Sequence, residues 1–251
     1  MINIEKARQI LKNYIEPYDA SNPRIALKAS HIFRVADASK KIAQELELTE
    51  EQIQLAELIG LLHDIGRFEQ VRIYDTFNDG KSVDHAELGI QILKENNLLK
   101  EFCEDEKYHE IIINAIHNHN KFKIDEGGEG ETLLQSKIIR DADKVDIFKI
   151  LTTENFETLY RKSDITDESI TPRVLEAFFE NKQINRSELE TNIDLWINNI
   201  SFIFDIYFKP SFKIIKENNY INIMIDRTKT EEMEKIREVA NMYIDKKAEW
   251  G

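Results

Sequence analysis

Apolar residues along the chain recur every three or four positions far more often than every two, so the pattern predicts helices. A first helix is expected over Ile4–Ile15, closed by Pro17 and the turn-prone Asn22-Pro23, and a second over about 24–46. Thr49 followed by Glu50-Glu51-Gln52 opens a third, with Gln52 at the capping-box position. Gly66 is expected to end it, since glycine is favoured just past a helix end. Residues 67–81 then read as a polar and aromatic connection with Asn78-Asp79-Gly80 as a turn. Asp84 with Glu87 predicts a capped helix over 84–99; further helices are expected over 105–120 and 132–151, separated by an acidic, glycine-rich loop at 125–131. Later amphipathic stretches fall near 172–181, 187–208 and 230–247. The stripe Leu189, Ile193, Trp196, Ile200 and Ile203 reads as ordinary core, and the alternation over 220–225 allows one short strand or β-hairpin. The fold class is therefore all-α, a helical bundle.

Composition narrows the function. The 251 residues carry 34 basic and 47 acidic side chains, a formal charge of −13, which argues against long nucleic acids because duplex binding neutralises phosphates with Lys and Arg. The single Cys103 excludes an internal disulfide and a cysteine-rich zinc site, and fits a reducing compartment. The amino terminus shows no secretory pattern, and the most apolar stretch, 200–208, is interrupted by Asp205 and too short to span a bilayer. A cytoplasmic protein without membrane association is expected.

Certain polar residues occupy slots that should face the core. His31 continues the row Leu27, His31, Val35; His63 continues Leu55, Ile59, His63; His119 follows Ile112 and Ile116; Asp143 lies between Ile139 and Ile147. Any one of them has an ordinary explanation as a hydrogen-bonded core residue. Together, a buried carboxylate and three imidazoles point to a shared metal ion, because a buried charge is costly unless it is paired.

The segments His31-Ile-Phe-Arg34-Val35, Leu61-Leu62-His63-Asp64-Ile65-Gly66-Arg67 and Arg140-Asp141-Ala142-Asp143-Lys144 resemble the HD superfamily of metal-dependent phosphohydrolases, over about residues 20–151. The resemblance implies His31, His63, Asp64 and Asp143 as ligands of a first metal, with Asp143 preferred to Asp141 because it directly follows Ala and precedes Lys. Asp84-His85-Ala86-Glu87 and Ala115-Ile116-His117-Asn118-His119 look like the additional histidines of two-metal members. His85 and His119 would then complete a second site bridged by Asp64, with His119 preferred to His117. His109 matches nothing and reads as a surface residue.

The resemblance further implies hydrolysis of a small phosphate ester or nucleotide by a metal-bound hydroxide at a mono- or dinuclear centre, the metal being Mn, Fe, Mg, Ni, Co or Zn. Asp64 is expected to orient the nucleophile, and Arg67 and Lys144 to stabilise the phosphoryl charge; Arg34 and Lys121 are further phosphate candidates. Two other readings share the ligand set. One is a mixed-valent di-iron oxygenase of the HD type, the other a non-catalytic nucleotide-sensing module. The expected organisation is one domain over 1–251, with a metal-binding core at 20–151 and a helical extension at 152–251 that covers or flanks the pocket, sets substrate choice, or forms a homo-oligomer.

Overall fold

Short polar side chains set the helix starts. Asn3 accepts from the backbone N–H of Lys6, Asn22 from Arg24, and Asp84 from Ala86 and Glu87, while Thr49 and Gln52 form the full capping box. Each satisfies donors that a helix leaves unpaired at its first turn. The computed structural model describes residues 2–125 and 128–249, so residues 126 and 127 of the expected acidic loop lie outside the described residues. Among the described residues there is no strand, and the chain divides into two compact units, Met1–Asp143 and Lys144–Gly251.

In the first unit, α1 (Ile4–Ile15) and α2 (Pro23–Glu45) are followed by α3 (Glu50–Leu62) and α4 (Gly66–Tyr74). Then come α5 (His85–Lys94), the short α6 (Leu98–Phe102), α7 (His109–His119) and the start of α8 (Gly130–Thr153). The core of α2 and α3 is drawn together at Gly60, where an added Cβ would lie 2.6 Å from the Cα of Ala36. Helix α3 is apolar almost all round, and every residue from Leu55 to Leu62 is buried, as expected of a helix inside the unit rather than on it.

Two local expectations differ from the structure. Residues 66–74, expected within a connection, form α4 with Phe68 and Val71 buried one turn apart. Gly66 opens that helix instead of stopping the previous one. It is selected by packing: a Cβ there would meet the carbonyl oxygen of His85 at 2.3 Å and the backbone nitrogen of Gly89 at 2.6 Å. The helix expected over 84–99 ends at Lys94, where Glu95 turns extended, and the short turn that follows closes at Asn97, whose φ of 57° puts it in the left-handed region that Asn tolerates better than most residues.

The second unit holds α9 (Phe156–Tyr160), α10 (Pro172–Phe179), α11 (Asn192–Ser201), α12 (Lys209–Glu217), α13 (Tyr220–Asp226) and α14 (Glu231–Glu249). Of the stripe expected as core, Ile193, Trp196, Ile200 and Ile203 are buried, whereas Leu189, which precedes α11, is only half-buried. Residues 220–225 are helical and not extended, because Ile221, Met224 and Ile225 bury at helical spacing that the local alternation obscured. Arg227 donates to the carbonyls of Leu151 and Glu154 and stacks over Phe156 and Trp196. No helix among the described residues is long and apolar enough to cross a membrane.

Candidate metal centre

Four helices and one sharp corner of the first unit bring the polar residues together. His31 lies mid-way along α2 and is fully buried. His63 and Asp64 occupy the turn between α3 and α4, which keeps helical dihedrals at His63 and Ile65 and so projects both side chains inward. His85 is the first residue of α5, directly behind the Asp84 cap, and His119 is the last of α7. Asp143 belongs to α8.

Asp64 turns one carboxylate oxygen to each of two histidine groups. Its Oδ2 lies 3.4 Å from His31 Nε2 and 3.5 Å from His63 Nε2, and its Oδ1 lies 3.3 Å from His85 Nε2 and 3.8 Å from His119 Nε2. Asp143 Oδ1 joins the first group at 3.1 Å from His31 Nε2 and 3.8 Å from His63 Nε2. The ligand atoms of His31, His63 and Asp64 lie within 4.8 Å of one another, as do those of Asp64, His85 and His119; either set could hold a metal ion.

The outer hydrogen bonds fix the histidine tautomers. His63 Nδ1–H donates to the Gly60 carbonyl at 2.8 Å, and His119 Nδ1–H to the Ile116 carbonyl at 2.6 Å. His85 Nδ1–H donates to Asp79 Oδ2 at 2.6 Å. Each bond leaves the Nε2 lone pair facing inward, the arrangement that metal-ligating histidines adopt. The Nε2 atoms of His85 and His119 therefore point lone pairs at each other across 3.0 Å, which calls for a cation beside them. Burial pushes His85 down to about 4, an effect that Arg67 reinforces and Asp79 opposes, so the His85 ring itself is neutral at neutral pH. Burial likewise pushes His63 down to about 3. His63 Nε2 and Asp64 Oδ1 are buried without a hydrogen-bond partner among the described residues. Bonds of about 2.1 Å meeting at about 90–115° span the observed 3.0–3.5 Å between neighbouring donors, so the residues fit a divalent ion.

Both carboxylates stay ionised. Burial alone would raise Asp64, but the Lys28 ammonium, 2.5 Å from Oδ2, and the adjacent His63 hold it well below the usual range. Burial opposes ionisation of Asp143 too, and its contact with His31 outweighs that.

A family model for the HD domain matches residues 29–147. The chain carries an HD domain. Searches of curated proteins and of solved structures find no match.

Within this HD domain the other candidate residues fall in distinct places. Arg67 sits next to the centre, its Nε 3.4 Å from Asp64 Oδ1 and its Nη1 donating to Asp79 Oδ1, Gln70 Oε1 and the Phe77 carbonyl. His117 faces away: it pairs with Glu87 and Asp125 and is one-third exposed. Lys121 is held by Asp84 at 2.9 Å, Arg34 is half-buried on α2, and Asp141 is buried on α8. His109 is half-buried rather than at the surface, donating from Nε2 to the Cys103 carbonyl. Lys144 belongs to the second unit, where its Nζ makes a buried ion pair with Asp205 at 2.7 Å.

Several contributors were missed by sequence reasoning. Asp79, read only as a turn residue, orients His85. Buried Gln70 holds Asp79 in turn, donating also to Ser82 and the Val83 carbonyl. Arg140 donates to the carbonyls of Asn118 and Lys121 and so fastens the end of α7 that presents His119. Lys28 carried one usable signal, its position one helical turn before His31.

Proposed function

We propose that the HD domain is a metal-dependent phosphohydrolase that acts on a small phosphate ester or nucleotide. The observation that carries this reading is the division of Asp64, whose two oxygens face separate histidine groups while two cations, Lys28 and Arg67, flank the same carboxylate. His31, His63, Asp64 and Asp143 would hold one divalent ion, and Asp64, His85 and His119 a second. Such ions supply a water acidified to near neutrality and a Lewis acid for the phosphoryl oxygen.

The protein's own residues do the rest. Asp64 stays ionised and presents one oxygen to each histidine group. Asp79 keeps His85 in the tautomer that turns Nε2 inward, and Gln70 holds Asp79 in place. Arg67 cannot swing freely, because Nη1 is fixed by Asp79, Gln70 and the Phe77 carbonyl; its charge is thus preorganised for an anionic group beside Asp64. Lys144 is given no phosphate role, since its ammonium is engaged by Asp205.

The same six ligands would also serve oxygen chemistry at a pair of irons. What favours hydrolysis is the cationic flank of Lys28 and Arg67, which suits an anionic substrate. The test is a screen of phosphorylated sugars, nucleotides and generic phosphodiesters with added Mn, Mg, Ni or Fe, run beside Asp64→Ala. Phosphate release by the wild type and none by the variant is expected. Iron-dependent oxygen uptake without any phosphoester turnover would replace this reading with the oxygenase. Tight nucleotide binding without turnover across the panel would replace it with a sensor.

A further inference from the structure

The ion pair between Lys28 and Asp64 has a consequence for how the centre fills. Lys28 Nζ lies 2.5 Å from Asp64 Oδ2, the oxygen that faces His31 and His63. An ammonium at hydrogen-bond distance and a divalent ion cannot both use that oxygen without two positive charges facing each other in a buried site. The lysine has somewhere else to go. Its side chain is 15% exposed, so one side is open to water. Nζ also lies 5.5 Å from the centre of the Phe77 ring, and the guanidinium of Arg67 lies 5.5 Å from the same ring. Phe77 therefore offers an aromatic surface that accepts a cation at low cost once Asp64 is taken.

Building on the phosphohydrolase reading, we propose that Lys28 is a resident cation of the metal-free centre, displaced from Asp64 when a divalent ion binds. Its freed ammonium then joins Arg67 on the Phe77 side as an anion-binding group. Without an ion, Lys28 is spent on Asp64 and is a poor ligand for phosphate; with an ion, it is released. One side chain thereby makes phosphate binding follow ion binding. Lys28 is a positioning and binding residue in this scheme, and no bond is made or broken by it.

The test uses the full chain, stripped of metal, with Mn²⁺ and inorganic phosphate as probes. Lys28→Met is expected to bind Mn²⁺ about tenfold more tightly than the wild type, because a competing charged hydrogen bond is gone. In saturating Mn²⁺ it is expected to bind phosphate about tenfold more weakly. Lys28→Arg, which keeps the charge, should stay near wild type in both titrations. A second measurement needs no variant. Mn²⁺ should increase acetylation of Lys28 in the wild-type protein several-fold, read by peptide mass spectrometry. Unchanged or weaker Mn²⁺ affinity in a folded Lys28→Met protein overturns the proposal, as does unchanged or reduced labelling of Lys28 with Mn²⁺ bound. A wild type that binds no divalent ion at all overturns the metal-centre reading itself, a result distinct from either of these.

Discussion

Acidification is expected to destabilise the metal-free HD domain well above the pH at which its carboxylates protonate. His63 and His85 are buried, with values pushed down to about 3 and about 4, whereas an unfolded imidazole titrates near 6.5. Above that value neither state binds a proton at these positions, and they contribute nothing. Below it the unfolded chain binds protons that the folded one refuses, so stability falls as pH falls. Each pH unit costs about 1.4 kcal/mol per histidine, so going from pH 7 to pH 5 removes about 2 kcal/mol for each and about 4 kcal/mol together. Asp64, Asp79 and Asp143 titrate lower in the folded protein than in the unfolded one. Their stabilisation is therefore intact throughout this window and is lost only below about pH 4. Against a total stability of about 5–15 kcal/mol the effect is large. The assay is denaturant unfolding in chelator at both pH values, for wild type and His63→Gln. Both tryptophans, Trp196 and Trp250, come after Asp143 in the sequence, so the readout should be circular dichroism or hydrogen exchange across Leu58–Leu62, not tryptophan fluorescence. The loss on acidification should shrink from about 4 to about 2 kcal/mol in the variant. Equal losses in the two proteins would refute the assignment of the pH dependence to His63.

The same geometry fixes several other outcomes. Asp79→Ala should weaken Mn²⁺ binding about 10–100-fold by releasing His85 Nδ1, whereas His117→Ala, which removes a ring paired with Glu87 and Asp125, should leave it within about twofold. Calorimetric titration of His117→Ala beside His119→Ala separates the two rings as ligands. Gly66→Ala should cost about 3 kcal/mol or more in denaturant unfolding, since the new methyl would sit 2.3 Å from the His85 carbonyl oxygen. Mn²⁺ at about a hundredfold over its dissociation constant should add about 2.7 kcal/mol to the stability of the first unit, seen as a higher melting temperature that is absent in Asp64→Ala.

The all-α class was legible because it rests on periodicity, and His31, His63, His119 and Asp143 were visible as polar residues standing in apolar rows, whereas Asp64 and His85 were marked only by their resemblance to HD proteins. What was not legible depended on residues meeting across the fold. Gly66 looked like a helix terminator because glycine is common there; it opens α4 because only a residue without Cβ can lie against the His85 carbonyl. Asp79 looked like a turn residue because Asn-Asp-Gly is a turn signal, and nothing nearby in sequence says that it reaches His85. His117 and His119 differ by two positions, hence by half a helical turn, and both can follow an isoleucine at helical spacing. Only the placement of His85 and His63 decides which ring faces the centre. Lys144 read as a phosphate cation because it follows a ligand, yet Asp205, far along the chain, engages it.

Charge at the centre ties the proposed chemistry to the acidity of the whole chain. Asp64, Asp79 and Asp143 set three negative charges against the two positive charges of Lys28 and Arg67. Without metal the cluster is thus net negative, inside a protein of formal charge −13, and repels phosphate. One divalent ion reverses the local sign and a second makes it strongly positive, because a bound cation is the largest charge in such a site. The acidity of the chain is then no obstacle to an anionic substrate, provided the ion arrives first. Phosphate should accordingly bind the metal-free protein no better than it binds an Arg67→Gln variant, and should bind the Mn²⁺-loaded wild type at least about tenfold more tightly than either. Equilibrium dialysis with labelled phosphate measures all three, and equal binding with and without Mn²⁺ would show that the fixed cations, not the ion, recruit the anion.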